Sequence, residues 1–165
     1  MPIKMITHDE LKNAVEYKES TGEFIVKDSF HKSRIGKIIV ETITSNGYKK
    51  FMIRGVVKYS HQWVWFYKTG KFPEFQIDHI DGNRLNNSIS NLRNGSGFIN
   101  NQNIKCARSF STTGVLGVRR SKNGKFDAVI FVEGRNKYLG RFENKESAGA
   151  AYLSAKRLLH KGCTI

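Results

Sequence analysis

The sequence predicts an α+β protein made of small antiparallel sheets and short helices, and three observations predict it. The first sixty or so residues alternate apolar and polar side chains in short runs, EFIVK, GKIIVETI and YKKFMIRGVVKYS. Turn signals at Thr21-Gly22 and Asn46-Gly47 part these runs, as expected of a small N-terminal antiparallel sheet. Residues 75–103 pass from a short apolar run into Asp78-His79, turn at Asp81-Gly82 and continue through spaced asparagines. Residues 113–161 hold three more β-like runs, joined at Asn123-Gly124 and Glu133-Gly134, and then a helical pattern, a three-stranded antiparallel sheet plus one helix.

The N-terminal sheet is preceded by a helix expected over residues 7–17. Thr7 is a good N-cap, Glu10 completes a capping box, and Leu11, Ala14 and Val15 form one apolar face. His8 is expected as a solvated first-turn residue. Residues 62–68 are apolar on nearly all sides and predict a short buried helix that Lys71-Phe72-Pro73 ends. His61, just before it, has two readings: a second catalytic group, or a ring packed between this helix and the central segment, with the second favoured. His31 has no partner in sequence and is assigned nothing.

Charge bounds the function. The chain of 165 residues carries a formal net charge of +14. Residues 1–70 contribute +5 (12 basic, 7 acidic), residues 71–105 +1 (4 and 3) and residues 106–165 +8 (12 and 4). A basic tail beside a nearly neutral centre separates a part that grips a polyanion from a part that does chemistry. No apolar run approaches the roughly 20 residues that span a bilayer. The N-terminal MPIKMITHDELK lacks the apolar core of a leader, so an intracellular protein without a membrane partner is expected. Only Cys106 and Cys163 are present and no CxxC pair exists, so no structural zinc is expected.

The central segment carries the chemistry. One imidazole, one carboxylate and several carboxamides suit metal-assisted hydrolysis of a phosphodiester. Strand alternation would turn Asp78 and His79 to opposite faces, so the strand is expected to end or bend at Asp81-Gly82. Asn86 and Asn87 are expected to brace the loop through side-chain to backbone bonds.

The stretch IDHIDGNRLNNSISNLR resembles the core of HNH endonucleases of the phage and intron homing type that reads HNN. The shared pattern runs D-H, x-G-(N/D), x-N, x-x-N-L-R and a later N. The resemblance implies a central ββα-metal motif: a second strand around Asn91, Leu92 and Arg93, then a helix beginning near Ser96 or Gly97. Matched position by position, it gives His79 the place of the general base, and Asp78 and Asn100 those of the metal ligands. Asn91 takes the place of the residue that holds the histidine by accepting a hydrogen bond from one ring nitrogen. It implies one Mg²⁺ or Mn²⁺ per active site, completed by phosphate oxygens and waters and bound well only with DNA. Products with 5′-phosphate and 3′-hydroxyl ends follow. Arg84 and Arg93 are expected to hold phosphates. Two positions depart from relatives. Gln62 stands in SHQWVW where an arginine is usual, and Gly97 stands where many carry a histidine, which favours the one-metal HNN form.

Residues 105–112 are polar and basic and are expected as an extended linker. After them, Gly117-Val118-Arg119, Gly124-Lys125-Phe126, Tyr138-Leu139-Gly140-Arg141-Phe142 and Ala150-Ala151-Tyr152 resemble the DNA-binding domain of plant ethylene-response factors (the Apetala-two/ERF type). A helix capped by Asn144 would lay Ala148, Ala151, Tyr152, Ala155 and Leu159 on the sheet. Relatives set this sheet in the major groove, so Arg119, Arg120, Lys122, Lys125, Arg135, Lys137 and Arg141 are DNA-contact candidates.

The expected organisation is therefore residues 1–70 as an N-terminal α+β module, 71–104 as the HNH core, 105–112 as linker and 113–161 as an ERF-like domain. The expected function is a phage homing endonuclease acting on double-stranded DNA in the host cytoplasm or nucleoid. It would nick as a monomer, a double-strand break needing a weak homodimer or two successive events. The rival from another class is a DNA-binding regulator that keeps an inactive HNH scaffold. A structure-selective nuclease shares the chemistry but not the specificity.

Overall fold

The computed structural model describes residues 5–29 and 31–165. The first residues of the segment read above for a leader lie outside them. Two compact units divide the chain, Met1–Gly95 and Ser96–Ile165. The architecture is the α+β one expected, small antiparallel sheets with short helices.

In the first unit, α1 (His8–Ala14) starts as predicted. The Thr7 hydroxyl accepts from the Glu10 amide at 3.2 Å, and the Glu10 carboxylate accepts from the Thr7 amide at 2.8 Å. The helix stops three residues early. Val15 is already extended, and β1 (Val15–Lys18) pairs antiparallel with β2 (Glu23–Val26), Tyr17 facing Phe24. Val15 and Tyr17 are buried while Glu16 and Lys18 are exposed. This period-two burial of a β-branched and an aromatic residue outweighs the small gain of one more turn on a short helix. His8 also departs from expectation: its Nε2 lies 2.8 Å from the Tyr67 carbonyl and its ring packs on Phe66.

The run GKIIVETI is not one regular strand. It gives a single bridge from Ile38 to Ile25 and the two-residue β3 (Thr42–Ile43). With β4 (Lys49–Ile53) and β5 (Val56–Tyr59), β3 makes a three-stranded sheet. Helix α2 (Ser60–Thr69) follows, anchored by the fully buried Trp63 and Val64, and ends at Gly70 in the left-handed conformation. The hairpin of β6 (Ile77–His79) and β7 (Leu92–Asn94) pairs Asp78 with Arg93 and His79 with Leu92. Ile77 and Leu92 join Leu11, Val15, Phe24, Phe51 and Trp63 in one core, so the hairpin is fixed by the same packing that holds the N-terminal elements.

The second unit opens with α3 (Gly97–Gln102), beginning where the sequence places it. Gln102 accepts from the Gly162 amide at 3.0 Å, and Asn103 accepts from the Thr164 hydroxyl at 2.6 Å, which ties α3 to the C-terminal residues. Strands β8 (Val118–Arg120), β9 (Phe126–Val132) and β10 (Arg135–Phe142) form an antiparallel sheet in the order β10-β9-β8. Helix α4 (Lys145–Leu159) is capped by Asn144, which accepts from the Ser147 amide at 2.8 Å. Ala148 packs with Val118 and Ala128, flanked by Phe126 and Phe142. Gly117 has φ 71°, and a Cβ there would fall 1.9 Å from the Tyr152 ring, so only glycine lets that tyrosine close over the sheet. Lys156 is buried and donates to the Ile104 carbonyl; burial lowers its pKa.

Candidate active site

The site grows from the β6–β7 hairpin. Regular pairing holds through His79, so alternation sends Asp78 and His79 to opposite faces and the expected bend comes only afterwards. The Gly82 amide donates to the His79 carbonyl at 2.9 Å, and φ of 77° at Gly82 supplies the left-handed corner. Beyond that corner Asp81 organises the loop. Its carboxylate accepts from the Asn83 amide (2.7 Å), the Asn86 side chain (2.7 Å) and the Asn91 side chain (2.9 Å). Burial pushes the Asp81 carboxyl upward, but these hydrogen bonds, with His79 nearby, outweigh it and hold it below its usual pKa.

His79 is 4% exposed and Asn87 3%. The His79 Nε2 atom lies 3.1 Å from the Asn87 side-chain oxygen. This corrects an expectation, since Asn91 was assigned to hold that ring. The Asn91 side chain instead donates to Asp81 and to the Asn86 carbonyl (2.9 Å) and accepts from the Asp81 amide (2.9 Å). The reason is register. His79 faces Leu92, while Asn91 lies one residue beyond the ladder, its carbonyl accepting from Ile80, with the Asp81 corner within reach of its amide. Asn86 braces the loop as expected, accepting from the Ser88 amide at 3.3 Å, whereas Asn87 serves the histidine.

Asn87 is itself supported from the N-terminal hairpin. The Tyr17 hydroxyl donates to the Asn87 carbonyl at 3.3 Å and accepts from the Ile89 amide at 3.0 Å. Gly22, with φ 73°, brings its backbone so close that a Cβ would sit 3.0 Å from the Asn87 carbonyl carbon and the Ser88 nitrogen.

Aromatic rings wall the other side of His79. Tyr48 lies 5.9 Å from it between centroids, and His61 lies 5.3 Å away with its plane at 90°. His61 stacks on Tyr59 and meets the edge of Tyr48 at 5.3 Å. Burial, and secondarily the neighbouring His79, lower the His61 pKa to about 4. Of the two sequence readings of His61, the structure bears on the packed ring: it is buried and lies against His79.

Among the remaining candidates, Asp78 is paired with Arg93, the guanidinium Nη2 2.5 Å from its carboxylate. Arg84 lies over the Tyr48 ring at 4.9 Å and donates to the Asn46 carbonyl at 2.7 Å. Asn100 is carried by α3 in the second unit. In that unit, strand alternation puts Arg119, Asp127 and Arg141 in one row on the sheet face opposite α4, with Arg141 forked onto Asp127 at 2.7 and 3.1 Å. Arg120, Arg135 and Lys137 occupy the other parity, Arg120 lying over the Phe126 ring at 5.2 Å. Lys122 and Lys125 flank the Asn123-Gly124 turn, and Lys125 pairs with Glu143 at 2.5 Å.

Sequence reasoning missed Asn87 as the partner of His79, and Tyr17, Gly22 and Tyr48 altogether. Asn87 carries a weak signal, an amide eight residues after the histidine. The others carry none, because their contacts span 30 to 70 residues and exist only in the folded chain.

Residues 58–102 match the family model of the HNH endonucleases. The HNH segment so defined holds His61, the Asp78-His79 pair, Asn87, Asn91 and Asn100. Protein 3.8 of Escherichia phage T7 is 41% identical over 77 residues, which cover 46% of this chain and 63% of that protein. A solved structure described as DNA binding and cleavage by the HNH homing endonuclease I-HmuI aligns with 97% of this chain and 95% of its own at 23% identity, with a TM-score of 0.45. Among the described residues no group of three or more His, Cys, Asp and Glu side chains gathers, and no helix is long and apolar enough to cross a membrane.

Proposed function

We propose that this chain is a divalent-metal-dependent endonuclease of double-stranded DNA, with His79 as its general base. The observation that carries the reading is the buried His79 ring, held at Nε2 by Asn87 inside the HNH segment. An amide oxygen only accepts, so Nε2 bears the hydrogen and Nδ1 keeps the lone pair that can draw a proton from water. Asp78 offers a carboxylate and Asn100, in the other unit, an amide oxygen; hard donors of this kind would suit Mg²⁺ or Mn²⁺ and would suit zinc poorly. With DNA bound, such an ion would supply charge neutralisation at the phosphate and the leaving oxygen. Asn91 acts one step removed: it fixes Asp81 and with it the corner that follows His79. Products carry 5′-phosphate and 3′-hydroxyl ends.

The second unit is the DNA-gripping part, an ERF-like sheet whose Arg119 and Arg141 face away from α4. Lys122, Lys125, Arg120, Arg135 and Lys137 add backbone charge, as do Arg84 and Arg93 in the first unit. A homing role, with a long and loosely specified site and a monomer that nicks one strand, accounts best for one catalytic segment beside one basic module.

One observation favours the regulator with an inactive scaffold: Arg93 already occupies the Asp78 carboxylate. Supercoiled plasmid and Mg²⁺ separate the two readings. Nicking by the wild type that is lost in His79→Ala removes the regulator. A plasmid left intact at every metal concentration removes the nuclease.

A further inference from the structure

Resting on the assignment of His79 as base, we infer that the Tyr48 hydroxyl and the Arg84 guanidinium together clamp one phosphate of the DNA strand being cut, beside that base. Tyr48 directly precedes β4 in the first unit. Its carbonyl accepts from the Thr44 amide at 2.8 Å, and its amide donates to the Thr44 hydroxyl at 3.2 Å, which fixes its backbone. Packing fixes its ring, with Tyr59 at 5.6 Å, His61 at 5.3 Å and His79 at 5.9 Å between centroids. The hydroxyl is left over. The residue is half-buried, yet its hydroxyl has no hydrogen-bond partner among the described residues and is open to solvent. The fold thus holds in place, in a ring that touches the candidate base, a donor that the fold itself does not use.

Arg84 supplies the charge. It is exposed, in the loop after the Asp81-Gly82 corner, with its guanidinium over the Tyr48 ring at 4.9 Å. One of its N–H groups goes to the Asn46 carbonyl at 2.7 Å. A guanidinium has five N–H donors, and Arg84 makes no ion pair among the described residues, so donors remain for an anion. The ring beneath it and the Asn46 carbonyl already restrict its plane, so little further freedom is lost on binding. A guanidinium on the face of a ring and a hydroxyl on its rim are neighbouring donors, which suits the several oxygens of a single phosphate. A lone carboxylate could use the same donors, but a chain of net charge +14 draws a polyanion first.

The test uses the full chain, supercoiled plasmid and Mg²⁺. Tyr48→Phe keeps every ring contact and removes no hydrogen bond within the protein, so it should melt like the wild type. Its kcat/KM for nicking is expected to fall by about 10- to 100-fold, the size of one hydrogen bond to a charged acceptor. If both groups hold one phosphate, the losses do not add: in an Arg84→Gln background the same change should cost less than about threefold. A readout apart from activity is the ¹³Cζ signal of Tyr48, identified by its loss in Tyr48→Phe. It should shift when a short DNA duplex is added without metal. Wild-type kcat/KM in Tyr48→Phe overturns the inference, and so does an equal loss with and without Arg84, which would place the two groups on separate phosphates. A lowered melting temperature in Tyr48→Phe also overturns it, because the hydroxyl would then serve the fold. A Tyr48 signal that stays in place while the duplex binds, or a chain that binds no duplex, does the same. If the wild type binds DNA but fails to nick, the nuclease reading falls, while the Tyr48 signal still decides whether the hydroxyl meets DNA.

Discussion

The His79 Nε2 atom and the Asn87 side-chain oxygen lie 3.1 Å apart, and because an amide oxygen only accepts, that contact places a ring hydrogen on Nε2. Both residues are almost wholly buried, so no water can replace the acceptor at little cost. Asn87→Ala leaves the buried Nε2–H of His79 without this acceptor. Partners that orient a reactive histidine are commonly worth about 10- to 100-fold, so kcat for plasmid nicking should fall by that factor. DNA affinity in a gel-shift titration should hardly move. A variant with wild-type kcat would return the orienting role to another residue.

Asn87 depends in turn on the N-terminal hairpin. Tyr17 bridges its carbonyl and the Ile89 amide through one hydroxyl, whose pKa burial raises. Tyr17→Phe removes both bonds and keeps the packing. A loss of about 1–3 kcal/mol in thermal or denaturant unfolding is expected, the cost of buried backbone groups left unmatched. Gly22→Ala should be at least as damaging, because it adds a Cβ at positive φ against the Asn87 backbone. An unfolding midpoint unchanged in Tyr17→Phe would show that the bridge does not support the loop.

What was legible in the sequence follows from how local each determinant is. The Thr7 capping box, the Asp81-Gly82 corner, the start of α3 and the Asn144 cap involve neighbours within a few residues, and all stand where the sequence puts them. The end of α1 was misread because burial of Val15 and Tyr17 against distant residues, not propensity, sets it. The choice between Asn87 and Asn91 could not be read at all. Both are amides in one loop, and only the register of β6 on β7 and the support from Tyr17 decide which meets the ring. His61 was legible as packed but not as packed on His79, since nothing in 18 residues of separation encodes that contact.

The depressed pKa of His61 makes a stability prediction with a definite sign. Above about pH 6.5 the ring is neutral in both folded and unfolded chains and contributes nothing. As pH falls from there toward 4, the unfolded chain takes up a proton that the folded chain refuses, so folding stability declines. The full effect, reached below pH 4, is on the order of 3 kcal/mol. Asp81, also lowered, withdraws its contribution only below its ordinary value of 3.8 and so leaves this window clear. Denaturant unfolding at pH 7 and pH 4.5 should show a drop in the wild type that is smaller in His61→Phe. Equal drops in both proteins would place the acid sensitivity elsewhere.

Arg93 and Asp78 face each other across the hairpin, and a carboxylate held by a guanidinium is a poorer ligand for a cation. Arg93→Gln should therefore raise the affinity of the DNA-free protein for Mn²⁺ in calorimetry. The gain expected is about two- to fivefold, the size of a partly exposed ion pair. The same change should weaken DNA binding if Arg93 passes to a phosphate when DNA arrives. Weaker Mn²⁺ binding in the variant would mean that Arg93 shapes the site and does not compete for it.

On the sheet of the second unit, Arg119, Asp127 and Arg141 share one row, and the fork of Arg141 onto Asp127 holds its guanidinium in a fixed plane. That ion pair keeps the Asp127 carboxyl below its usual range, so the carboxylate remains charged and offsets one of the two arginines. Arg119, the less engaged of the two, is then the stronger candidate for a plain phosphate contact. Arg119→Ala should weaken binding to all duplexes alike and make the slope of log K against log salt shallower by about 1. Arg141→Ala should instead lower discrimination between sequences more than total affinity, because a guanidinium held in plane suits the paired acceptors of a guanine edge. Asp127→Asn should raise affinity at low salt by removing the offsetting charge, and reduce discrimination by releasing Arg141. Identical salt slopes in wild type and Arg119→Ala would put the DNA on another face of the sheet.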